Sequence, residues 1–181
     1  MPDTDSNPLD HKLLSSYLND HLGGSTAGLE LARRALSQNR GTRFGGVLER
    51  IVDEIAEDRR TLELLMEKLD VGEDHKKVAA GWLGEKAGRL KLNGRLLGYS
   101  PLSRLIELEG LVLGVSGKLA LWQSLRVVAD LHPALDELEL DALIERARGQ
   151  IEVLEHERLA AAELALTGSD EVPEPGPPAT A

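Results

Sequence analysis

From Pro101 to Leu131 the chain reads PLSRLIELEGLVLGVSGKLALWQSLRVVADL, and wound as a helix it carries apolar side chains on nearly every side. A helix that is apolar all round has to be covered all round. Glu107, Glu109, Lys118 and Arg126 break any run of about 18 to 20 uncharged residues, so the stretch is not a membrane span. It reads instead as the central wall of a soluble helical bundle, and the rest of the chain has to supply its cover.

The cover is helical too. Only Tyr17, Phe44, Trp82, Tyr99 and Trp122 are aromatic among the 181 residues, so the core must be built of Leu, Ile, Val and Ala, which suits helices better than strands. A first helix is expected from His11 to Gln38, after an Asp10 cap, with Leu14, Leu18, His21, Ser25, Ala32 and Leu36 inward. Gly23, Gly24 and Gly28 sit in its middle, where each costs about 1 kcal/mol relative to alanine; a close helix approach or a kink would explain them. After Asn39-Arg40-Gly41, a second helix over Thr42 to Leu69 places Phe44, Leu48, Ile51, Ile55, Asp58, Leu62, Leu65 and Leu69 at alternating steps of four and three. That is a heptad seam with one carboxylate in it. A fourth helix is expected from Ala134 to Leu166, with Pro133 at its first turn. Its inner side is Leu140, Leu143, Ile144, Ala147, Ile151, Leu154 and Arg158.

The domain organisation follows: a polar lead at 1–9, one helical bundle over 10–166, and a proline-rich tail at 167–181, with both ends expected to be disordered. Between helices two and three, residues 71–100 hold six glycines and no sustained stripe, consistent with a crossover that includes a short helix near Asp74 to Lys86. Two hairpins joined by a crossover of that length allow helices two and three to run parallel. In this connectivity the stretch His11 to Leu166 resembles the ferritin-like four-helix bundle, at the level of architecture. The resemblance implies a di-metal site built from glutamates and Glu-x-x-His pairs. None of His11, His21, His75, His132 and His156 has glutamate three residues earlier. Glu54 and Glu155 are the nearest carboxylate candidates, and no cofactor is implied.

Other chemistry is narrowed by composition. The net charge of −10 opposes general nucleic-acid binding. With no cysteine, disulfides, thiolate metal sites and cysteine nucleophiles are excluded. The acidic, polar start of the sequence shows no signal-peptide pattern, so a cytoplasmic location is expected. Glycine-rich patches such as Gly81-Trp82-Leu83-Gly84 lack the lysine and Ser/Thr of a phosphate loop.

Three groups of polar residues stand out. Antiparallel hairpin geometry sets Asp58 near Leu22 and beside His21, and sets Arg158 against Glu107 with Glu109 a turn away. These are expected as buried pairs that fix register; the alternative for the first is an acid/base pair lining a pocket made by the glycines of the first helix. From Lys76 to Arg104 seven basic residues stand against Glu85 alone. Arg89, Lys91 and Arg95 in that run are the candidate anion site, unless the run only neutralises acidic helix faces. The expected function is a non-catalytic binding or scaffold protein whose basic crossover contacts an anionic small molecule or an acidic protein partner. The second reading is an atypical ferritin-like metal-dependent oxidase. Monomer and homodimer are both open.

Overall fold

The computed structural model describes residues 9–72 and 99–168. All of its regular elements are helices, with no strand among the described residues. Helix α1 spans His11–Asn39, α2 Gly45–Lys68 and α3 Pro101–Val127. A 3-10 turn at Ala129–Leu131 and a one-turn helix α4, Pro133–Asp136, lead into α5, Leu140–Thr167. No helix among the described residues is long and apolar enough to cross a membrane. Most of the crossover, with the expected helix near Asp74 to Lys86, and most of the two chain ends lie outside the described residues.

Local chemistry places the boundaries. Asp10 caps α1 by accepting from the Leu13 amide at 3.0 Å. Gly41 turns the chain in the left-handed region at φ +78°, and Thr42 Oγ1 donates to the Asn39 carbonyl while accepting from the Phe44 amide. Gly45 is required where α2 starts, since a Cβ there would stand 2.9 Å from the Asn39 carbonyl oxygen. Ser100 and Pro101 open α3 as cap and first-turn proline. Two expected boundaries are corrected. The third helix ends at Val127, short of the corner expected at Asp130-Leu131-His132-Pro133, and Pro133 opens α4, because the chain breaks again at residues 137–139 before α5 starts at Leu140.

All eight residues of the α2 seam are buried. At roughly 1.5 to 3 kcal/mol for each large apolar side chain, this face supplies much of what holds α2 in place. α1 pairs with α2 and α3 with α5, and α1 also packs along α3, whereas α2 and α5 meet at few points. Side-chain pairs give the directions. Leu31 fits against Gly110, Arg34 against Glu107 and Asn39 against Arg104, so α1 and α3 are antiparallel. Phe44 lies under Arg104 and Asp58 meets Lys118, so α2 and α3 run parallel. Among the described residues α3 is not covered all round, with Leu113 55% and Val127 85% exposed.

Candidate functional site

A cavity of about 510 Å³ lies between α1, α2 and α3. Glycine shapes it. Gly24 and Gly28 of α1 and Gly114 and Gly117 of α3 all line it. Continuing the antiparallel register of Leu31 with Gly110 one turn at a time sets Gly28 against Gly114 and Gly24 against Gly117. The two levels differ from the first in kind. At Gly110 an added Cβ would come within 2.9 Å of Leu31 Cδ2, so that glycine is a socket for leucine. At Gly24, Gly28, Gly114 and Gly117 an added Cβ would meet nothing within 4 Å outside its own helix. Close helix approach therefore does not explain Gly24 and Gly28. They hold a gap open where two helices would otherwise fill the space with side chains, at a propensity cost of roughly 0.5 to 1 kcal/mol each.

Behind the gap the walls are apolar, with Ile55, Leu62, Leu111, Leu121 and Trp122. The polar end is a buried cluster. Asp58, 3% exposed, accepts from Lys118 on one oxygen and from Arg146 on the other, and Gln150 Nε2 donates to it at 3.3 Å. Lys118 also donates to Gln150, and Arg146 reaches outward to Glu57 at 2.7 Å. A carboxylate with this many donors is the arrangement in which a buried charge is retained. Burial pushes the Lys118 ammonium below the usual lysine range, with Asp58 acting in the opposite direction. Burial also opposes the charge of Arg146, but Glu57 and Asp58 outweigh it and raise its pKa.

His21 and Asp58 line the same cavity, as the hairpin geometry predicts, but they are not partners. The carboxylate is taken by α3 and α5, and the His21 ring packs edge-on to Tyr17 with centroids 4.6 Å apart. Burial pushes the His21 imidazole below its usual value, against the pull of Asp20. The second expected pair is also corrected. Arg158 binds Glu155 one turn back at 2.7 Å, and Glu109 is exposed. Glu107 is buried as expected, yet its partners come from elsewhere: Arg34 Nε at 2.9 Å and the Tyr99 hydroxyl at 2.8 Å. Asn39 joins this second cluster by donating to Tyr99 at 2.6 Å and accepting from Arg104 at 2.5 Å. Burial pushes the Tyr99 hydroxyl upward in pKa. Arg104 stacks between Phe44 and Tyr99, with 4.5 and 5.8 Å to the ring centres. Arg89, Lys91 and Arg95 lie outside the described residues.

The metal candidates each face an arginine. Glu54 is 3.7 Å from Arg50, Glu155 belongs to Arg158, and no group of three or more His, Cys, Asp or Glu among the described residues could hold an ion. Sequence reasoning misses Lys118, Arg146 and Gln150 as site residues, although a signal for two of them is present. Leu111, Val115, Lys118, Trp122 and Leu125 alternate in steps of four and three, as do Leu143, Ala147, Gln150 and Leu154. Each polar residue occupies a seam position, as Asp58 does. Compared with protein-family models, curated proteins and solved structures, the chain finds no match.

Proposed function

We propose that this protein is a non-catalytic helical-bundle binding protein, built on ferritin-like connectivity, whose ligand is a small, largely apolar molecule held between α1, α2 and α3. The observation that carries the reading is the set of four glycines facing empty space across one helix contact. A close-packed interior has few voids larger than a water molecule, whereas this one is within the roughly 300 to 1,000 Å³ range of small-molecule sites and has their composition of apolar walls with a few polar groups. The parallel run of α2 and α3 supports the ferritin-like connectivity. Asp58 and Lys118 neutralise one another, and His21 has no carboxylate hydrogen bond among the described residues that would orient it as a base.

The test is a titration with the neutral apolar fluorophore N-phenyl-1-naphthylamine. The unmodified protein should enhance and saturate its emission. Gly28→Leu and Gly114→Leu fill the gap with side chains and should weaken that binding at least about tenfold, with helicity unchanged. Equal binding by the filled variants would place the dye elsewhere, and no binding by the unmodified protein would end the proposal.

A further inference from the structure

The polar end of the cavity has more donors than acceptors. Lys118 carries three N–H groups, of which two are taken, by Asp58 and Gln150. Trp122, 1% exposed and part of the cavity wall, has an indole N–H with no acceptor among the described residues, and the Nε–H of Arg146 behind Asp58 is buried and unpartnered as well. Such groups are uncommon in close-packed interiors, because a buried donor left without an acceptor forfeits its hydration for nothing. The acceptors cannot be stretched further: both oxygens of Asp58 already receive Lys118, Arg146 and Gln150. Asp58 is the buried anion of the cluster, and Glu57, 61% exposed, pairs with the outer side of Arg146 at 2.7 Å. At the rim Arg59 pairs with Glu63 at 2.8 Å.

We infer that the ligand is an apolar monocarboxylate, its carboxylate accepting hydrogen bonds at the Lys118 and Trp122 end and its hydrocarbon body lying along the glycine gap. This rests on the cavity being a binding site. The cavity lining runs along α3 from Leu111 to Trp122, a distance of roughly 16 Å at the rise of an α-helix, and along α1 from Asp20 to Gly28, roughly 12 Å, which suits a medium-length alkyl chain. An anion completes the donor set. An alcohol of the same length supplies only the acceptor, and an amine would bring a third cation to the cluster.

Calorimetric titration of the full chain with decanoate, decanol and decylamine separates these cases. Decanoate should bind about tenfold or more tightly than decanol, the scale of one charge-assisted hydrogen bond, and decylamine should bind more weakly than decanol. Trp122→Phe keeps an aromatic ring, smaller than the indole, and removes the N–H. It should lower decanoate affinity several-fold and decanol affinity less. Lys118→Met should abolish the preference for decanoate, and if that variant does not fold, the Trp122→Phe comparison decides. Decanol binding as well as decanoate, or a Trp122→Phe variant that keeps the full preference, would overturn the carboxylate while leaving an apolar site in place. If neither decanoate nor decanol binds and the naphthylamine dye is also ignored, the binding site itself falls.

Discussion

Asp58 shows how one side chain's value depends on its neighbours. It is an acid on a seam of leucines, and it is tolerated because three side chains from α3 and α5 donate to it. Removing it leaves Lys118 and Arg146 facing each other with no anion between them. Asp58→Ala should therefore cost about 3 to 5 kcal/mol, read as a lowered urea midpoint. Glu109, open to solvent on α3, should change stability by no more than about 0.5 kcal/mol when made alanine. The double change Asp58→Ala with Lys118→Met should be more stable than Asp58→Ala alone, since it removes a cation that has lost its partner. His21 gives a pH signature at the same scale. Its folded pKa lies below the ordinary 6.5, so between those two values the unfolded chain binds more protons than the folded one. The stability tied to neutral His21 is present above pH 6.5 and is lost as the pH falls through the lowered value. Comparing melting temperatures of the unmodified protein and His21→Asn from about pH 8 to about pH 5 should show a shallower acid decline in the variant.

At the scale of the elements, glycines that look alike in the sequence divide into three kinds, and alanine substitution should separate them. Gly28→Ala and Gly114→Ala meet open space in helix interiors and should stabilise by about 0.5 to 1 kcal/mol each. Gly45→Ala pushes a methyl into the Asn39 carbonyl and should destabilise, because backbone cannot swing aside as a side-chain tip can. Gly110→Ala meets only the flexible end of Leu31 and should fall between. Thermal melts of the four variants test the ordering, and a loss of stability at Gly28 or Gly114 would mean that the gap is not empty. The α2 helix is legible in the sequence because its seam repeats without interruption from Phe44 to Leu69. The glycines of α1 are legible there as an anomaly and as one wall of a pocket, but the opposite wall is not, since the facing glycines stand about 90 residues away on α3. The inner side of α5 is only partly legible for a similar reason. A phase centred on Ile151 and Arg158 misses Gln150 and Glu157, which are the buried polar residues.

For the molecule as a whole, the two hairpins meet chiefly along α1 and α3, and polar ties join α2 to the second hairpin beside the shared apolar core. At one level Asp58 reaches Lys118 and Arg146; toward the other end Arg43 approaches Glu157 at 3.3 Å and Arg104 covers Phe44. The Glu107 cluster pins α1 to the start of α3 through Arg34, Tyr99 and Asn39. Seam positions and hairpin register point to pairing at Asp58 and Glu107 but not to the true partners: Arg34 reaches Glu107 only because α1 packs on α3, an arrangement that no local pattern encodes, and Tyr99 reaches it from just before α3. Glu107 and Lys118 are eleven residues apart on α3, so the two clusters are separated by roughly 16 Å. Sites that far apart and without shared partners contribute independently when a molecule unfolds as one unit. Asp58→Ala combined with Glu107→Ala should then lower stability by the sum of the single effects to within about 0.5 kcal/mol, with far-ultraviolet circular dichroism and tryptophan fluorescence tracing one transition. A combined loss well short of the sum, or two transitions that no longer coincide, would mean that losing either cluster already parts the hairpins, and that the cavity between them exists only while both clusters hold.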